Sequence, residues 1–128
     1  GNDDVLMERI MNVVNKHISE PDFNVEVLTR DVGISRAQLH RKMKEMTGIS
    51  AGEFIRNLRL EQAARLIAEG NINITQVAFA VGFNNQAHFS TVFKKHYGVT
   101  PTEYSEKHTG ATAKNTDTAD ETDQTGLQ

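Results

Sequence analysis

A chain of 128 residues, 38% of them hydrophobic, suffices for one compact unit or for two small ones that share an element. It has no cysteine, which excludes disulfides, thiolate metal sites and cysteine nucleophiles together, and no apolar run near the ~20 residues that a membrane span needs. The net charge of −3 would argue against a polyanionic partner if it were spread evenly, but it is not.

Residues 1–4 are read as a leader ahead of the first apolar stripe. From about Asp4 to Ile18, Val5, Leu6, Ile10, Val13, Val14 and Ile18 recur at three and four, the pattern of a helix with one buried face, and Pro21 follows its end. Asn24 is placed to cap a short helix through about Asp31, with Leu28 and Val32 inward and Gly33 in the turn after it. Ser35-Arg36-Ala37-Gln38 then spells a capping box that opens another helix, closed by Gly48. A second box, Ser50-Ala51-Gly52-Glu53, starts a helix that reaches Glu69 and stops at Gly70. Its apolar residues spread beyond one stripe, so neighbours pack on more than one side, and about 19 residues make it ~28 Å long.

Beyond Gly70 the chain repeats itself. Asn73-Ile74-Thr75-Gln76 is a capping box before Val77 and Ala78, and VGF at 81–83 matches VGI at 32–34 at an offset of 49. After one inserted residue the offset is 50, which sets Leu39 on Phe89, Met43 on Phe93, Gly48 on Gly98, Ser50 on Thr100 and Phe54 on Tyr104. Asn84 or Asn85 caps the helix after this second turn, and Thr100-Pro101-Thr102-Glu103 sets a last short helix. The remainder, 109–128, is poor in large apolar residues and reads as a disordered tail.

The fold class expected is therefore all-α, about seven helices. Two helix-turn-helix subdomains, 5–50 and 71–108, form a homeodomain-like pair joined by a linker helix at 51–70. Two helices joined by a tight turn with Gly in it place the second where it can enter a DNA major groove. The charge follows that assignment. Residues 109–128 carry −3 and 1–33 carry −4, whereas 35–47 carry +3 and 84–97 carry Lys94 and Lys95 unopposed. Successive major-groove faces lie ~34 Å apart, so the linker helix is of a length to serve two adjacent turns.

At ~100° per residue, Leu39, Met43 and Met46 share the core side of the first recognition helix and Ala37, His40, Arg41 and Lys44 face outward. Arg41 is the strongest base reader, because its fork suits guanine O6 and N7. His40 suits a base edge or a phosphate, and Arg36 and Lys44 suit phosphates. In the second, Phe89, Val92 and Phe93 form the core side, leaving Ala87, Ser90, Thr91 and Lys94 outward with Gln86 in the exposed first turn. Only Gln86 is equipped for a bidentate contact, with adenine. Asn85, Lys94 and Lys95 are further phosphate candidates. The first unit should carry most of the sequence discrimination and the second should mainly anchor.

Over about 5–107 the chain resembles the DNA-binding domain of the AraC/XylS family of bacterial transcription regulators. The resemblance is carried by Gly82-Phe83-Asn84, Phe89, Phe93-Lys94-Lys95, Gly98, Thr100-Pro101 and Tyr104, with Arg59, Ala63 and Leu66-Ile67 in the linker. It implies that one chain sets two recognition helices into consecutive major grooves. The base-contact positions would be Ala37, His40 and Arg41 in the first helix and Gln86, Ala87, Ser90 and Thr91 in the second. It also implies double-stranded promoter DNA and RNA polymerase as partners, a sensing or receiver module elsewhere in the full-length protein, and a cytoplasmic place of action. The style is that of the C-terminal output domain of Bacteroides-type hybrid two-component sensors. Thr29, Thr91 and Ser105 depart from the family pattern, where Ala, Arg and Arg are usual, and Thr91 weakens guanine reading by the second unit.

Other classes fare worse. Gly48-Ile49-Ser50-Ala51-Gly52 spells the G-x-S-x-G of a hydrolase elbow, but that motif needs a strand before its serine, and the repeat puts Thr100 in its place. His17, His40, His88, His96 and His108 show no i, i+4 pair, so neither metal nor other cofactor is expected, and no enzyme activity. No aromatic platform for unpaired RNA bases is visible. A helical protein-interaction module within a larger signalling protein is the remaining alternative.

Overall fold

In the computed structural model, which describes residues 1–109, all regular structure is helical. The order is α1 (Asn2–His17), α2 (Val25–Val32), α3 (Arg36–Thr47), α4 (Ala51–Glu69), α5 (Ile74–Ala80), α6 (Gln86–Tyr97) and α7 (Pro101–Thr109). The reading of 109–128 as a disordered tail lies outside the described residues, save that Thr109 closes α7. At the other end α1 begins two residues ahead of the start expected at about Asp4. Asn2, Asp3 and Asp4 form its first turn, where the acidic side chains of Asp3 and Asp4 meet the positive end of the helix dipole.

The caps fix the boundaries. The side chains of Asn24, Ser35, Asn73 and Asn85 accept from the backbone N–H of Val27, Gln38, Gln76 and His88 at 3.0, 3.1, 2.8 and 2.9 Å. Ser35–Gln38, Asn73–Gln76 and Thr100–Glu103 close as reciprocal boxes. Ser50 makes only half of its expected box: its hydroxyl accepts from Glu53 N–H at 3.1 Å, without the return bond from the Ser50 N–H. That half still spends the serine on helix capping. Ser50→Ala is expected to cost about 1 kcal/mol in urea denaturation, with most of it restored by Ser50→Thr, the residue the repeat places at 100. An unchanged midpoint for Ser50→Ala would remove the capping role.

The chain divides into two compact units, 1–59 and 60 onward, the division falling inside α4. In the first unit Ile10 and Val14 of α1, Leu28 and Val32 of α2, Leu39 and Met43 of α3, and Ala51 and Ile55 of α4 bury one core together with Phe23. In the second, Leu60, Ala63, Ala64 and Ile67 of α4 pack with Val77, Ala78, Val81, Phe83, Phe89 and Phe93. No residue is shared between the two cores. This accounts for the broad apolar spread of α4: one end of the helix serves each core.

The turns are built alike. Ile34 N–H donates to Thr29 O at 3.3 Å and Phe83 N–H to Ala78 O at 3.0 Å, the same bond at repeat-equivalent positions. Gly33, at φ 87°, lets the first turn reverse directly after Val32. The second turn, Val81–Asn85, is longer than the first, Gly33–Ser35. It takes up the inserted residue seen in the repeat, and α5 also stops one position early, at Ala80. Thr29, where the second copy has the buried Ala78, is tolerated because its hydroxyl donates to Glu26 O at 2.7 Å and so is not buried unpaired.

Candidate nucleic-acid interface

Capping and the fully buried Leu39 and Met43 lock the rotation of α3, and that rotation turns Arg36, Ala37, His40, Arg41 and Lys44 to the solvent. An open groove of about 250 Å³ beside them is lined by Val25, Arg36, His40, Ser50, Ala51 and Gly52. Val25, Arg36 and Ala51 are the first residues of α2, α3 and α4. Three helix N-termini, each with a partial positive charge, thus border the groove with a guanidinium and an imidazole, an arrangement that favours an anion. His40, left open between base and phosphate by the sequence, sits with Arg36 on this side.

Arg41 and Lys42 belong to a line of alternating charge. Arg41 Nη1 lies 3.5 Å from Glu45 Oε2, Glu45 Oε1 lies 3.5 Å from Lys42 Nζ, and Lys42 Nζ lies 3.0 Å from Asp3 Oδ1 at the start of α1. The hydrogen bond to Asp3, then its charge, holds the Lys42 ammonium above the usual lysine range. Lys44 has no anionic neighbour within ion-pair distance among the described residues and stays available to a phosphate. Of this line only the i, i+3 and i, i+4 spacings to Glu45 were legible beforehand; Asp3 is 39 residues from Lys42.

On α6, Phe89 and Phe93 are fully buried, and Gln86, Ala87, Thr91, Lys94 and Lys95 are exposed. Ser90, expected outward, is half-buried, because it follows Phe89 at the margin of the core face. Several polar groups here already have partners. Thr91 Oγ1 donates to Ala87 O at 3.0 Å, and Asn85 Oδ1 is spent on the cap, leaving its Nδ2 for a phosphate. Thr75, which the sequence placed only within a capping box, donates from Oγ1 to Gln86 Oε1 at 2.6 Å and ties the bidentate candidate of α6 to α5. The donors kept by this face include the Asn85 and Gln86 amides, Lys94 and Lys95. Ser105 is half-buried on α7.

His17 is structural: it stacks on Phe23 with ring centroids 5.6 Å apart and meets Glu20 at 3.0 Å. Among the described residues there is no group of three His, Cys, Asp or Glu placed to hold a metal ion, and no helix long and apolar enough to cross a membrane.

The helix-turn-helix domain family matches residues 28–107. The chain is 34% identical to the probable transcription factor PqrA of Proteus vulgaris, over 81% of this chain and 89% of that protein. It is 32% identical to Histidine kinase P4 of Formosa agariphila over 83% of this chain, which spans only 8% of the kinase. A transcriptional regulator from Chromobacterium violaceum, described by its AraC-type DNA-binding domain, superposes with a TM-score of 0.76 at 28% identity, over 82% of this chain and 93% of that one. The all-α pair of helix-turn-helix units and these likenesses agree, and the chain belongs to the AraC/XylS family of helix-turn-helix regulators.

Proposed function

We propose that the chain is the DNA-reading segment of a transcription regulator, with α3 and α6 entering successive major grooves of one duplex. The observation that carries the reading is the exposed cationic face of α3, opposite Leu39 and Met43 and beside three converging helix N-termini. Ala37, His40 and Arg41 read bases with Gln86, Ala87, Ser90 and Thr91, and Arg36, Lys44, Asn85, Lys94 and Lys95 hold phosphates. With Arg41 on α3 and only small side chains and Gln86 on α6, the first unit carries most of the discrimination. Likeness to a histidine kinase supports a sensing or receiver module in the same protein. Promoter DNA and RNA polymerase, on the cytoplasmic side, are the partners this reading assigns. Catalysis has no part in this reading, since the Ser50 hydroxyl is used as a helix cap.

Mobility shifts over a range of salt, on promoter and scrambled duplexes, test it. Four cations on phosphates predict a log–log slope of about −3 to −4, and Lys44→Ala is expected to lower its magnitude by about one. Arg41→Ala is expected to flatten sequence preference more than Gln86→Ala does. Slopes near zero would instead favour a helical protein-interaction module, and preference that survives Arg41→Ala but not Gln86→Ala would reverse the roles of the two units.

A further inference from the structure

We propose that Glu45 is a specificity-determining positioning residue, which aims the Arg41 guanidinium at a guanine and is itself aimed by Lys42 and Asp3. The inference rests on Arg41 as a base reader. An exposed arginine has freely rotating bonds and, unheld, gives up much of the energy of a two-point contact to side-chain ordering. Here Glu45, one turn further along α3, engages only Nη1. The Nε and Nη2 edge is left to donate to O6 and N7.

The carboxylate does not swing freely either. Its second oxygen faces Lys42, and Lys42 is anchored at 3.0 Å to Asp3 in the first turn of α1. Lys42 is the least exposed member of the line, at 29%, against 56% for Arg41 and 48% for Glu45. The line therefore runs from a fixed end on α1 to a working end on the DNA-facing side of α3. A carboxylate on a helix that approaches phosphates also lowers affinity for every duplex, so on any DNA that does not offer Arg41 its guanine the charge is a net cost. A solvated ion pair with no such role would shift helix stability slightly and leave base preference unchanged.

The two effects of Glu45 have opposite signs, and that separates them from a loss of fold. The experiment selects duplexes from a randomised double-stranded library with the wild-type chain, Glu45→Ala, Glu45→Gln, Arg41→Ala and the Glu45→Ala/Arg41→Ala pair. Affinity for a scrambled duplex and thermal melting are measured alongside. The column of the preference matrix that Arg41→Ala flattens is expected to lose about threefold to tenfold of its discrimination in Glu45→Ala. Affinity for the scrambled duplex should rise in the same variant. Glu45→Gln, which keeps an acceptor for Nη1, is expected to fall between, and Glu45→Ala should change nothing further in the matrix once Arg41 is gone. A column still sharp in Glu45→Ala overturns the proposal, as does a loss of affinity for all duplexes that tracks a loss of melting temperature. If Arg41→Ala itself leaves every column intact, the failure lies in the reading of Arg41, and the proposal falls with it.

Discussion

Phe93→Ala is expected to destabilise the second unit by about 3–5 kcal/mol. Phe93 is fully buried, and its ring centroid lies 5.6 Å from Phe89, 4.7 Å from Tyr97 and 5.5 Å from Tyr104, the last edge-on. These contacts join α6 to α7, and the surrounding Leu60, Ala63, Ala64 and Ile67 come from the end of α4. The described part of this unit holds about 50 residues, for which a total stability of roughly 3–8 kcal/mol is ordinary. One cavity of this size therefore consumes most of it. Because the two cores share no residue, amide exchange should show α5, α6 and α7 losing protection while α1, α2 and α3 keep theirs. Uniform loss across both units would mean that they unfold as one. Phe93→Met is the control, since the repeat puts the fully buried Met43 at the equivalent place; it should cost under about 1.5 kcal/mol plus the lost ring contacts.

The order of helices was legible because caps and glycines are local signals. Ser35 with Gln38, Asn73 with Gln76 and Thr100 with Glu103 announce helix starts within four residues of chain, and all three close as written. Helical periodicity likewise set Leu39, Met43, Phe89 and Phe93 inward, and it left Arg36, Arg41, Lys44 and Lys94 outward. It misled at Ser90, where a ~100° step from Phe89 falls between the two faces, and at Val5, counted on the buried stripe of α1 but 57% exposed in its first turn. What stayed hidden was each side chain's choice of partner across the fold. Asp3 on Lys42 and Thr75 on Gln86 join residues far apart in the chain, and no periodicity reports them. Those bonds bear on the interface more than the helix boundaries do, because they decide which donors are left for DNA.

Arg59 is the fullest case of a partner the sequence could not disclose, and Arg59→Ala is expected to cost the first unit about 3 kcal/mol. From the middle of α4 its Nε donates to Ile18 O at 3.0 Å and its Nη2 to Glu20 O at 2.8 Å and Phe23 O at 3.3 Å. Ile18 caps the C-terminus of α1, so one guanidinium satisfies a carbonyl that the helix leaves orphaned and two more in the loop toward α2. It also sets a cation against the negative end of the helix dipole. Burial lowers its pKa from the usual arginine value, and arginine has so high a value to begin with that it stays charged at neutral pH. Truncation leaves the Ile18 and Phe23 carbonyls without their donor in a partly closed site, while Glu20 O keeps the Phe23 N–H at 3.1 Å. Arg59→Lys should recover less than half of the loss, because a single ammonium cannot span carbonyls that a planar fork reaches on two edges. The checks are urea denaturation and amide exchange at the end of α1. DNA binding supplies the counter-check: Arg59 donates inward to backbone, so its loss should reduce binding only through the folded fraction and leave the salt slope and base preference of the folded protein unchanged. A cost below 1 kcal/mol, or an altered salt slope, would show that the guanidinium works at the surface instead of tying α4 to α1.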